Sequence, residues 1–97
     1  MPSLEEIKEN IKPLVTKYGI TRAGIFGSYA RGDTNENSDI DLIFDFAKDF
    51  GLIELSGLKI SLEEKLGKKV DIVEFSSLDP IIKDKILSEA VLIYEQG

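Results

Sequence analysis

Leu4, Ile7, Ile11, Leu14, Val15 and Tyr18 recur at helical spacing with charged residues between them, which predicts an opening helix. Ser3 followed by Glu6 is a capping-box pattern for its start, and Gly19 is a natural stop. Pro13 falls inside the run, where its missing N–H kinks a helix or restarts its last turn. Residues 20–26 read as a short strand, followed by a turn at Gly27-Ser28, a brief helix over 28–32 and a polar loop over 33–38 with no hydrophobic anchor. Strand formers return over 39–46. Leu52, Leu55, Leu58, Leu62 and Leu66 then repeat at helical spacing, with Gly57 loosening the middle and Gly67 closing the helix. Residues 70–75 read as a third strand. Asp79-Pro80 supplies an N-cap and first helical position for a helix to about residue 88, and 90–95 adds an edge strand. The order α-β-α-β-α-β-α-β, without repeat or linker, predicts one α/β or α+β domain over 1–97.

Composition narrows the chemistry. The chain has 97 residues, 42% of them hydrophobic, and a net charge of −6 from 12 basic and 18 acidic residues. A chain of this length buries about two-thirds of the surface it exposes when unfolded. It has no histidine and no cysteine, which excludes the usual zinc sites, thiol nucleophiles, disulfides and histidine acid–base schemes. Titrating or metal-binding chemistry therefore falls to carboxylates. The negative balance argues against a broad basic nucleic-acid surface. The charged N-terminus has no apolar h-region, and no stretch approaches the roughly 18 apolar residues of a membrane span, so the expected location is the cytoplasm.

Three acids stand out by position. Asp39 and Asp41 sit two apart at the start of a strand and so share a face, roughly 6.5–7 Å apart. Asp71 lies among Val70, Ile72 and Val73, where the pattern predicts burial and an unpaired carboxylate is costly. If the two strands are neighbours, the acids converge, and a hard divalent cation, usually magnesium, is the natural remedy for their repulsion. Two such ions roughly 3.5–4 Å apart clamp the attacking and leaving oxygens of a phosphoryl or nucleotidyl displacement. Gly27-Ser28 would let backbone and hydroxyl approach a phosphate, with Arg31 one helical turn further on as a counter-charge. Taken singly, the turn, the acid pair, Asp71 and Arg31 read as ordinary turn, strand-flanking, strand-edge and salt-bridge residues; together they are far less expected by chance. Asp45 reads as structural or exposed, and Asp33 and Glu36 as solvent-facing.

The segment GSYARGDTNENSDIDL resembles the nucleotidyltransferase motif of the DNA polymerase β superfamily: Gly-Ser, ten intervening residues from Tyr29 to Ser38, then Asp-x-Asp. Ala30-Arg31-Gly32 and Ser38 are similar to the small stand-alone members, the minimal nucleotidyltransferases or MNT proteins, and Asp71 in KVDIVEF matches the third family acid. The resemblance implies a small mixed sheet carrying the acids on one face, with helices on the other. It implies a magnesium-dependent transfer of a nucleoside monophosphate from a nucleoside triphosphate, most simply AMP from ATP. Asp39 and Asp41 would bind both metals, and Asp71 would complete one metal site and help activate the acceptor hydroxyl. Gly27 and Ser28 would hold the triphosphate, with Arg31 at a further motif position.

MNT proteins commonly act as antitoxins of HEPN-domain toxins, so the resemblance also implies a protein acceptor, a tyrosine of a HEPN toxin. A chain this short has little room for its own acceptor-recognition domain, which agrees with a partner supplying that surface. Two other readings stand beside this one: an antitoxin that neutralises its toxin by occlusion without catalysis, and a nucleotidyltransferase acting on a small-molecule hydroxyl.

Overall fold

Ser3 Oγ accepts a hydrogen bond from the Glu6 amide at 3.1 Å, and Glu6 Oε1 accepts one from the Ser3 amide at 3.4 Å. This is the reciprocal cap that the sequence predicts. Helix α1 follows over Leu4–Tyr18 and runs on through Pro13 as one element. The structure, a computed structural model, describes residues 2–48 and 51–96. After α1 come β1 (Ile20–Phe26), α2 (Ser28–Arg31), β2 (Ile40–Phe46), α3 (Leu52–Leu66), β3 (Val70–Glu74), α4 (Pro80–Glu89) and β4 (Val91–Glu95). A single 3-10 turn at Phe75–Ser77 ends β3 one residue earlier than the apolar run suggests.

The strands form one mixed sheet in the order β3-β2-β1-β4. β1 is antiparallel to both of its neighbours, and β2 is parallel to β3. Alternation along each strand sorts the side chains by face. Ala23 and Ile25 of β1 join Ile40, Leu42 and Phe44 of β2 and Val70 of β3 in the core. Ile7, Ile11 and Leu14 of α1 and Leu58, Leu62 and Leu66 of α3 close over them, so the predicted stripes bury over most of their length, while Leu4 and Leu52 at the starts of the two helices stay exposed. The opposite parity places Phe26, Asp41 and Asp71 on the other face, with Gly24 and Ile43 further along.

Helix α4 lies outside the α1/α3 layer and none of its residues is buried. Leu87 and Ala90 line a cavity of about 230 Å³ with Gly24, Ile43 and Phe75 on the acid-bearing side of the sheet. The helix is also moored by two charged side chains: Lys83 in its first half sits 4.9 Å from the centre of the Phe75 ring, and Glu89 at its end pairs with Arg31. Ile81 stays 80% exposed and Leu92, just beyond in β4, 53%. Among the described residues no helix is long and apolar enough to cross a membrane.

Candidate active site

β1 ends at Phe26, directly opposite Asp41 in the antiparallel register, so the turn that follows β1 necessarily lies beside the Asp41 carboxylate. Gly27 makes that turn with φ 70° and ψ −146°, a conformation essentially confined to glycine. A Cβ built there would overlap the Asp41 Oδ2 atom and stand 3.2 Å from its Cγ. Glycine is thus required twice, for the backbone angle and for the space that the carboxylate occupies. Ser28 opens the four-residue α2, whose start has no side-chain cap. Tyr29, 8% exposed, anchors α2 in the core. Its hydroxyl finds no hydrogen-bond partner among the described residues, and burial raises its pKa. Because the buried hydroxyl has no partner to lose, Tyr29→Phe is expected to leave the melting temperature unchanged or raise it, as measured by thermal unfolding.

Asp41 and Asp71 are register partners on the parallel strands β2 and β3, whose backbones run about 4.8 Å apart. The convergence expected from the sequence is therefore met for this pair. Two expectations need correction. Asp39 lies just ahead of β2, which begins at Ile40, because the ladder starts where the Ile40 amide bonds the Lys69 carbonyl at 3.0 Å. Asp71 is exposed instead of buried, because β3 is the sheet's edge strand and alternation turns Asp71 away from the core face that Val70 occupies. Asp41 is the partly buried member. Desolvation raises its pKa above the ordinary carboxylate value, and the charges of Asp71 and Asp39 raise it further; Arg31 acts in the opposite direction.

Arg31 reaches this field from the end of α2, yet it is half-exposed and already paired, with Asp33 Oδ2 at 3.2 Å and Glu89 Oε1 at 3.6 Å. The Asp33 hydrogen bond is the main reason its pKa is raised. Asp33 and Glu36 are exposed, as expected from the loop composition. Asp45 is structural: its Oδ2 accepts from Arg22 Nη2 at 2.6 Å and from Nε at 2.9 Å, and the guanidinium lies 4.7 Å from the centre of the Phe75 ring.

The donor set suits a hard cation, being carboxylate oxygens alone, and the mutual repulsion felt at Asp41 is what such a cation would relieve. As the side chains stand, no three acids among the described residues are gathered tightly enough to hold an ion. Two structural supports of the site were not legible in the sequence. One is Tyr29 as the anchor of α2, which a lone aromatic in a polar motif does not disclose. The other is Lys68, whose Nζ bonds two loop carbonyls just ahead of Asp39.

A mixed sheet that presents acids beside a glycine-opened turn is the arrangement of a nucleotidyl-transfer domain. Residues 9–97 match the family described as polymerase β nucleotidyltransferase, and the chain belongs to that family. A relative from Methanocaldococcus jannaschii, provisionally named protein adenylyltransferase MJ0435, is 48% identical over 89 residues, covering 92% of this chain and 96% of its own. Protein adenylyltransferase MntA of Thermococcus cleftensis is 38% identical over 97 residues, covering 96% and 98%. Among solved structures, the complex of a tri-AMPylated HEPN toxin with an MNT antitoxin from Shewanella oneidensis superposes with a TM-score of 0.75 at 19% identity. That match covers 96% of this chain and 73% of that one, and it supports the fold.

Proposed function

We propose that this chain transfers AMP from ATP to a hydroxyl of a partner protein, a tyrosine of a HEPN-family toxin, and so acts as an antitoxin. The observation that carries the reading is the pairing of Asp41 with Asp71 across β2 and β3, opposite the turn at Gly27. In the reaction the acceptor oxygen attacks the α-phosphorus of ATP, the bond from that phosphorus to the bridging oxygen breaks, and pyrophosphate leaves. Bound magnesium, held by Asp39, Asp41 and Asp71, would supply positive charge for the triphosphate and for the oxygens at the reacting phosphorus. Gly27 leaves backbone room for the triphosphate, Ser28 Oγ donates to it, and Arg31 adds a counter-charge on exchanging Asp33 for phosphate. Asp71, exposed at the sheet edge, is open to an incoming acceptor and takes the hydroxyl proton.

The adenylyltransferase names of the relatives support AMP as the transferred group, and the neighbouring complex supports a HEPN toxin as acceptor. The unburied apolar residues of α4 and β4 support a protein partner, since exposed apolar surface of this kind marks sites of association. That surface also favours a second reading, in which the chain neutralises its partner by covering it.

The two readings separate in a toxin-rescue assay comparing wild type with the Asp39→Asn, Asp41→Asn double variant. The double variant is expected to bind the toxin but lose neutralisation at substoichiometric amounts. Equal rescue by both proteins would favour occlusion.

A further inference from the structure

We infer that Lys68 is a positioning residue for Asp39, holding that carboxylate where the metal reading proposed above requires it. Asp39 stands just ahead of the β2 ladder, so strand pairing fixes only the peptide plane that follows it, through the ladder's first bond. The plane before it is tied by Lys68, the neighbouring residue in the α3–β3 connection. Lys68 Nζ donates to the Ser38 carbonyl at 2.8 Å and to the Glu36 carbonyl at 2.9 Å. The Lys69 carbonyl accepts from the Ile40 amide at 3.0 Å.

The Ser38 carbonyl belongs to the peptide plane before the Asp39 Cα, and the Ile40 amide belongs to the plane after it. With both planes tied to the same dipeptide, φ and ψ of Asp39 are fixed from outside the motif that contains it. The dipeptide is itself held. Gly67 ends α3 in a left-handed cap at φ 68° with its amide on the Glu63 carbonyl, and Glu63 Oε2 accepts from the Val70 amide at 2.9 Å. The loop adds its own bonds, Asn35 amide to Ser38 Oγ at 2.9 Å and Ser38 amide to Asn35 carbonyl at 3.0 Å. These shape the loop without tying it to the sheet. The Lys68 ammonium makes that tie, from a half-buried residue and with its bond to the Ser38 carbonyl partly shielded from solvent.

Outer partners that orient metal ligands are worth roughly 10–100-fold in metal affinity. The test uses the whole chain, with Mg²⁺ alone as probe and the thermal midpoint as readout. Wild type is expected to gain stability as Mg²⁺ is added. Lys68→Met, which keeps the apolar stem and removes the donors, is expected to need roughly tenfold or more Mg²⁺ for the same gain. Lys68→Arg, which restores donors to both carbonyls, is expected to recover most of it. A merely structural lysine would lower the metal-free midpoint and leave the Mg²⁺ concentration dependence unmoved; that result overturns the inference. Should Lys68→Met fail to fold, Lys68→Gln takes its place, with an intermediate loss expected and a wild-type dependence overturning the inference. A wild type indifferent to Mg²⁺ removes the inference and the metal reading together. Failure of AMP transfer with the Mg²⁺ response intact removes only the proposed acceptor chemistry.

Discussion

Asp41→Asn is expected to stabilise the metal-free protein at neutral pH while removing nucleotidyl transfer. The pKa of Asp41 is raised by desolvation first and by the charges of Asp71 and Asp39 after it. The native state therefore holds the Asp41 proton more tightly than the unfolded chain does, and the ionised carboxylate works against folding. That penalty is absent below the ordinary carboxylate value of 3.8, where both states are protonated, and is fully present once the pH has risen through the higher native value. An asparagine of the same shape carries no charge and escapes it. Solvent screening of this half-exposed group limits the gain to about 1 kcal/mol or less, roughly 4 °C for a domain of this size. Thermal melts of the two proteins are expected to differ at pH 7 and to coincide at about pH 3. Transfer should fall about 10³-fold or more, on the order of 4 kcal/mol of transition-state stabilisation. Added Mg²⁺ is expected to raise the wild-type midpoint and leave that of the variant nearly unmoved. An Asp41→Asn protein less stable than wild type at pH 7 would contradict this account of the site.

Gly27→Ala should fail on both counts. Its φ of 70° with ψ of −146° costs a non-glycine residue on the order of 1–3 kcal/mol. The added Cβ meets the Asp41 carboxylate as well, so relief of the clash moves a proposed ligand. We expect a clear loss of stability and a loss of transfer of about 100-fold or more, the scale on which small misplacements act. Gly32→Ala is the control. It too has a left-handed backbone, at φ 80° and ψ 17°, but a Cβ there meets nothing within 4 Å. It should lose about 1–2 kcal/mol of stability while keeping its transfer rate. Melting temperatures and single-turnover rates of the two variants, measured side by side, distinguish strain from displacement. Equal activity of Gly27→Ala and Gly32→Ala would show that the space beside Asp41 is not needed.

What could be read from the chain was local. Periodicity marked the core faces of α1 and α3, and the caps at Ser3 and Asp79 form as their spacing requires. The Gly-Ser turn and the Asp-x-Asp pair fell at a spacing that pointed to one chemistry. The pairing of Asp41 with Asp71 was only conditional, because register between β2 and β3 depends on a parallel crossover through α3 that no short-range pattern encodes. Burial of Asp71 and a place at a strand edge were both open for the same reason: Val70, Ile72 and Val73 describe a strand that packs, but not whether it lies at the sheet's edge, where the fold puts it. Arg31 carries its motif position in the sequence, yet its tie to Glu89 joins residues far apart in the chain. Lys68 looked like one lysine among many until the fold set it against the loop before Asp39.

The central claim is that these acids and this turn direct AMP to a protein hydroxyl. It is tested most directly by incubating the chain with Mg²⁺, the candidate HEPN partner and ATP labelled at either the α- or the γ-phosphate. The account predicts that label from the α-phosphate becomes covalent on the partner, that label from the γ-phosphate does not, and that Asp39→Asn and Asp41→Asn each abolish the signal. No covalent α-label with wild type, transfer of the γ-label, or α-labelling that survives loss of the acids would contradict it.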